Sequence, residues 1–261
     1  MPTRDLAPIG SPCWADLCTS DVEGSRRFYS ELLGWEAQEP SAEFGGYFMF
    51  TRHGAMVAGG MGDMGDMKAN NTWKLYLQTD DIAKTLQVAE SQGGEVVAAT
   101  MQVADLGAQA VLVDSVGATV GAWQPGSFQG FTVLGEDGTP SWFELLTRDH
   151  DRAVSFYQAA FGWDTTTEAV EDGGGFRYTV AHGHSGEGDL VGIMDAKAFL
   201  PDGAGESWSI YWAVDDVAAT VAKCTQLGGS IVRETEDTPY GVLATLADPT
   251  GAQFKLRKPK Y

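Results

Sequence analysis

Two carboxylates in this chain stand on otherwise aromatic strand faces. In "PCWADLC", Pro12 to Cys18, residues two apart share a face, so Trp14, Asp16 and Cys18 lie together while Ala15 and Leu17 turn the other way. "PSWFELL" repeats the arrangement with Trp142, Glu144 and Leu146. By the same parity "WKLYLQ" groups Lys74, Tyr76 and Gln78, and "WSIYWA" groups Ser209, Tyr211 and Ala213. Two late strands add Gly121 with Trp123, and Lys255 with Arg257. A carboxylate buried on such a face is costly unless paired or hydrogen-bonded. Asp16 or Glu144 could therefore act as a general base, with Tyr76 or Tyr211 as the acid or oxyanion partner. Equally, an internal carboxylate–tyrosine or carboxylate–lysine bond could do no more than close the fold, and Trp14 and Trp142 could be core plugs.

These residues recur because the chain repeats itself. "DLCTSDVEGSRRFYSELLGW" from Asp16 matches "ELLTRDHDRAVSFYQAAFGW" from Glu144 without a gap, an offset of 144 − 16 = 128 residues. A second pair, from Trp73 and from Trp208, is offset by 208 − 73 = 135, and "VDSVGATVGAWQP" and "ADPTGAQFKLRKP" close the two halves. A period this long is a duplicated domain rather than a solenoid, whose units run to roughly 20–50 residues. Four related units result, two per domain. Each reads as strand, helix and further strands. Asp21, Asp81, Asp149 and Asp216 can cap the helices, Gly34 and Gly162 can end two of them in the left-handed conformation, and Gly93–Gly94 and Gly228–Gly229 stop the others. Short aromatic strands and Gly turns follow, as in "GGYFMFTRHG" and "GGFRYTVAHG". The expected boundaries are a first domain over 1–124 (units about 11–62 and 72–124), a Gly-rich linker over 125–139, and a second domain over 140–261 (units about 140–196 and 207–259).

This βαβββ grammar, closing on "D-x-x-G-A", resembles the vicinal oxygen chelate superfamily of glyoxalases, bleomycin-resistance proteins and extradiol dioxygenases. The twofold "PxW-[DE]-L…FY…GW" order is similar to a two-domain actinobacterial branch of it. The resemblance implies an α+β fold of two tandem glyoxalase-like domains, each a half-open eight-stranded cup whose ligand face carries the residues above. Trp14, Lys74, Gln78, Trp123, Trp142, Ser209, Lys255 and Arg257 then become candidate ligand contacts around Asp16, Tyr76, Glu144 and Tyr211. It also implies where a metal would be held. Metal-using members take ligands seven residues before the helix-capping Asp and four after the Gly of "D-x-x-G". Those positions are Trp14, Lys74 and Gly121 in one domain, and Trp142, Ser209 and Lys255 in the other. None is a donor of the kind such ions need, so neither a metal site nor a cofactor is expected. The four histidines, His53, His150, His182 and His184, read as solvated loop residues.

Composition narrows the partners. A net charge of −19 argues against nucleic acid or an anionic membrane, which need clustered Lys and Arg. No apolar run approaches the roughly 20 residues of a membrane span, and three cysteines suit a reduced, cytoplasmic setting. The expected partner is an aromatic small molecule, bound by a monomer whose halves form an internal pseudo-dimer, with further oligomerisation left open. Three readings of function stay open: metal-free binding of a planar ligand in resistance or secondary metabolism, a metal-independent isomerase, cyclase or lyase, and a metal-dependent glyoxalase or dioxygenase.

Overall fold

The structure is a computed structural model and describes residues 6–63, 70–170, 175–183 and 188–260. The first half contains β1 (Pro12–Cys18), α1 (Val22–Leu33), β2 (Glu36–Ala37), β3 (Phe48–Arg52), β4 (Ala55–Met61), β5 (Thr72–Gln78), α2 (Ile82–Ser91), β6 (Glu95–Val103), β7 (Gly107–Val113) and β8 (Thr119–Pro125). The second half repeats the order with β9 (Pro140–Thr147), α3 (His150–Phe161), β10 (Asp164–Val170), β11 (Phe176–His182), β12 (Asp189–Asp195), β13 (Ser207–Ala213), α4 (Val217–Gln226), β14 (Ser230–Thr238), β15 (Gly241–Ala247) and β16 (Gln253–Lys258). Each half folds into one eight-stranded sheet, ordered β2-β3-β4-β1-β5-β8-β7-β6 and β10-β11-β12-β9-β13-β16-β15-β14. Within a unit the last strand returns parallel to the first, and the two units of a sheet join through an antiparallel central pair, β1 with β5 and β9 with β13.

The four expected aspartates cap the four helices. Asp21, Asp81 and Asp216 accept from the backbone N–H three residues on, whereas Asp149 makes no side-chain cap bond. Gly34 and Gly162 end α1 and α3 at φ 69°, a left-handed conformation that a side chain would strain.

The "FY…GW" repeat has a role that its recurrence alone does not reveal: it joins the two domains. Tyr29 of α1 donates to Asp248 Oδ2 of the second domain (3.1 Å), and Tyr157 of α3 donates to Asp114 Oδ2 of the first (2.7 Å). Each phenol also accepts from a tryptophan of its own sheet, Trp73 or Trp208 (both 2.9 Å). The aspartates belong to the "D-x-x-G-A" turns and hold those turns with their other oxygen, Asp114 accepting from the N–H groups of Val116 and Ala118, and Asp248 from those of Thr250 and Ala252. Trp35 donates to Gly138 O and Trp163 to Gly10 O, crossing the boundary in opposite directions. Trp212 of the second sheet packs edge-on against Trp35 and Trp73 of the first. Trp73 and Trp212 lie on the strand faces opposite Lys74 and Tyr211, so the sheets meet through their helix-bearing faces. The faces carrying Asp16 and Glu144 point apart.

Candidate functional site: two unequal cups

Strand register brings the candidate residues of each cup together. In the first, Trp14 pairs with Tyr76, and Asp16 lies between Lys74 on one side and Gly59 on the other. In the second, Trp142 pairs with Tyr211, and Glu144 lies between Ser209 and Gly192. Tyr76 faces Gly121 across β5–β8, and Tyr211 faces Lys255 across β13–β16.

Asp16 is buried, 3% exposed. Its Oδ1 accepts from the Tyr47 hydroxyl (2.7 Å) and from Trp14 Nε1 (3.0 Å), and Trp14 Nε1 also donates to the Tyr47 oxygen (2.8 Å). The Tyr76 hydroxyl and the Lys74 charge also act to lower the Asp16 pKa. Burial nevertheless outweighs these contacts and raises the Asp16 pKa above the usual carboxylate range. The tyrosines respond in the same direction: burial, then the neighbouring carboxylate, pushes Tyr47 and Tyr76 well above the ordinary phenol value.

Glu144 is comparably buried but differently held. It accepts from Tyr178 at Oε1 (3.0 Å), and at Oε2 from Tyr211 (2.8 Å) and the Lys255 ammonium (2.8 Å). Lys255 also donates to the Tyr211 oxygen (2.9 Å), and Trp142 Nε1 to the Tyr178 oxygen (2.9 Å). Desolvation is again the largest influence and acts to raise the pKa. Here Lys255, through charge and hydrogen bond, and the two phenols together overcome it and lower the value. Glu144 is thus held ionised where Asp16 is pushed toward the acid.

Access also differs. In the first cup the segment after β8 folds back over the site. Phe128 sits edge-on to Trp14 (ring centroids 4.8 Å) and to Trp123 (5.9 Å), and Phe131 packs on Trp14 as well (5.3 Å). Trp123 Nε1 donates to Phe128 O, and Trp14, Gln78 and Trp123 are all buried, with Gln78 Oε1 lacking a partner among the described residues. In the second cup, among the described residues, no aromatic ring packs on Trp142. Arg257 lies over it instead, its guanidinium carbon 5.9 Å from the ring centroid. Trp142, Tyr178, Ser209, Lys255 and Arg257 are all half-buried.

Two tyrosines of these networks, Tyr47 and Tyr178, escape the strand-parity reading. Their signal lay across the strand, in Gly59 and Gly192. A Cβ on Gly59 would meet the Tyr47 hydroxyl at 1.8 Å, and one on Gly192 would meet the Tyr178 hydroxyl at 2.0 Å, so each glycine clears room for a ring. The reading of the histidines needs correction at His150. It is 2% exposed, the first residue of α3, with Nε2 at 2.9 Å from Thr179 Oγ1. Its place under the helix start, rather than in the preceding loop, buries it. His53 is exposed in its turn, His182 is half-buried beside Asp189 and Thr166, and His184 lies outside the described residues.

A fold of paired βαβββ units with one polar cluster per cup defines a known class. The chain belongs to the glyoxalase/bleomycin resistance protein/dioxygenase superfamily. Residues 139–256 match that family, and residues 14–122 match the glyoxalase-like domain family. Over nearly its whole length the chain is similar to a putative glyoxylase, CFP32, of Mycobacterium tuberculosis (34% identity, covering 99% of this chain and 98% of the relative). It is equally similar to the anthracycline biosynthesis protein DnrV of Streptomyces peucetius (34% identity, 95% and 92% covered). The fold is also that of a Mn(II)-bound glyoxalase from Novosphingobium aromaticivorans (TM-score 0.63, 13% identity, 96% of this chain and 83% of that one covered).

The family's metal is a fair test of these cups. The corresponding positions hold Trp14, Lys74 and Gly121, and Trp142, Ser209 and Lys255. The Trp14 and Trp142 indoles and the Lys255 ammonium all act as donors here, with their protons directed at Asp16, Tyr47, Tyr178, Glu144 and Tyr211. Among the described residues no three His, Cys, Asp or Glu side chains converge. The donor set does not fit a divalent ion. No helix among the described residues is long and apolar enough to cross a membrane.

Proposed function

We propose that the protein is a metal-independent small-molecule binder of the glyoxalase fold that takes a planar aromatic ligand in its second cup. The observation that carries this reading is the half-buried Trp142 face at the rim, backed by Glu144, Tyr178, Tyr211 and Lys255 fixed at 2.8–3.0 Å from one another. An aromatic face beside a few fixed polar groups is what a pocket for a flat, oxygenated molecule requires. Similarity to proteins named for anthracycline biosynthesis supports a role as an accessory to secondary metabolism or in resistance. The net charge of −19 and the sparse cysteine content, three in the whole chain, support a small-molecule role, apart from nucleic acid and membranes, in a reducing cytoplasm. The internally paired domains suit a chain that works as a monomer.

A second reading has its own observation. An ionised carboxylate in direct contact with a phenol and an ammonium is an acid–base set, with Glu144 as base and Tyr211 as proton donor to a developing oxyanion. It corresponds to a metal-free isomerase, cyclase or lyase. Titrating the protein with flat polycyclic phenols and quinones, followed by tryptophan fluorescence, tests the binding reading. Quenching with a Kd that weakens in Trp142→Ala by about 1–3 kcal/mol is expected, as for other stacked rings. Absence of any such binding, or elemental analysis giving one transition metal per domain, overturns it. Conversion of a bound compound, abolished by Glu144→Gln with binding retained, selects the second reading.

A further inference from the structure

Resting on that reading of the second cup, we propose that its ligand is an anion, a planar aromatic carrying a carboxylate or an acidic phenolate, and that Arg257 recognises the charge. In this chain 36 acidic residues face 17 basic ones, so an unmatched cation in a concave site is not expected by chance pairing. Arg257 is half-buried, and among the described residues no carboxylate lies within 4 Å of it. Its Nε donates to Tyr240 O (3.2 Å) and one terminal nitrogen to Ser141 O (3.4 Å), both neutral carbonyls. These bonds hold the guanidinium over Trp142, and among the described residues its remaining N–H groups have no acceptor.

Lys255, two residues earlier on the same strand face, is already neutralised by Glu144. On the four central strands around Trp142 the charged groups of this face are therefore Glu144, Lys255 and Arg257, which sum to +1, while the outer strands carry Glu168, Arg233 and Glu236 on the same face. The first cup makes the contrast: Trp123 stands where Arg257 does, so no guanidinium lies beside its Trp14. A guanidinium held against an indole face presents a rigid fork to a carboxylate while the ligand ring lies against Trp142. In a protein of net charge −19, a single anion-selective hollow also counters the general repulsion an acidic ligand would meet.

The test uses two probes of one shape, 2-naphthoate and the neutral 2-naphthamide, titrated calorimetrically into the full-length protein and its variants. The wild type is expected to bind naphthoate at least about ten-fold more tightly, the effect of one charge-assisted hydrogen-bonded contact. Arg257→Gln should remove that preference by weakening naphthoate alone, with Arg257→Lys intermediate because the fork is lost and the charge kept. Added salt should weaken naphthoate and leave naphthamide unchanged. Equal affinities in the wild type, or a preference that survives Arg257→Gln, overturn the anionic assignment while leaving the planar-ligand reading intact. Failure of both probes and of the neutral polycyclic compounds removes the cup as a ligand site, and this assignment with it. Thermal unfolding of the variants separates lost recognition from lost structure.

Discussion

The two cups share an ancestor, a strand register and a Trp–carboxylate–Tyr–Tyr network, yet they have come to opposite electrostatic ends. The first is closed over by Phe128 and Phe131, and burial raises the Asp16 pKa. The second leaves Trp142 half-exposed, and Lys255 lowers the Glu144 pKa. A single exchange accounts for much of this. Gly121 leaves space that the Tyr76 ring occupies, since a Cβ there would meet that ring at 2.1 Å, whereas the corresponding Lys255 brings an ammonium 2.8 Å from the carboxylate. When two related carboxylates are pushed apart in this way, the ionised one in the accessible site is the better candidate for chemistry or recognition. The sealed one reads as structure.

The largest expected effect comes from removing each carboxylate's charge in turn. Glu144→Gln leaves the Lys255 ammonium, only 14% exposed, without its counter-ion. Loss of one member of a buried ion pair costs about 3–5 kcal/mol. Asp16→Asn keeps an oxygen acceptor for Tyr47 and removes a charge that burial already disfavours, so its cost at neutral pH should stay near 1 kcal/mol or below. Urea unfolding at pH 7 measures both. Equal losses would show that the two networks are equivalent and that the contrast between the cups is one of access alone.

Much of this arrangement was legible in the strand alternation. Trp14, Asp16, Lys74 and Tyr76 gather in one cup, and Trp142, Glu144, Tyr211 and Lys255 in the other, because period-two parity is fixed by the backbone. Tyr47 and Tyr178 were hidden because their spacing, 178 − 47 = 131, departs from the 128-residue offset of the carboxylates, reflecting hairpins of unequal length. Phe128 looked like linker, since a Gly-rich segment gives no sign of which sheet face it will cover. The "FY…GW" lines were plain as a repeat, but repetition states kinship and not contact. Only the structure shows that Tyr29 and Tyr157 reach across to Asp248 and Asp114. Burial of His150 depended likewise on where α3 begins.

Opening the first cup sharpens the comparison at a somewhat smaller stability cost. Phe128 covers both Trp14 and Trp123, and Phe128→Ala should destabilise by about 3 kcal/mol, the low end for such truncations because one edge of the ring meets solvent. Its more telling effect is on access. Acrylamide quenching of tryptophan fluorescence should rise in this variant, and planar probes should gain a second, weaker site with no preference for anions, since Trp123 occupies the place of Arg257. If the variant acquires anion preference at the new site, charge recognition does not reside in Arg257.

The smallest effect is the pH dependence, and its sign is what matters. Glu144 has a folded-state pKa below its ordinary 4.5, so its contribution to stability is present above that value and is lost as pH falls through the lowered one. Asp16 has a folded-state pKa above its ordinary 3.8, so its contribution is greatest when protonated and declines as pH rises from about 3.8 through the raised value. Acidification from neutral pH should therefore narrow the stability gap between wild type and Glu144→Gln, because the wild type loses what the variant already lacks. Over the same range Asp16→Asn should become relatively less stable, since the wild type gains from protonating a carboxylate that the variant has replaced. Urea titrations at a series of pH values from about 3 to 7 follow both gaps, since the Glu144 contribution is lost only below its ordinary 4.5. Gaps that move in the same direction would mean that the two carboxylates feel the same environment, and that Lys255 does not set them apart.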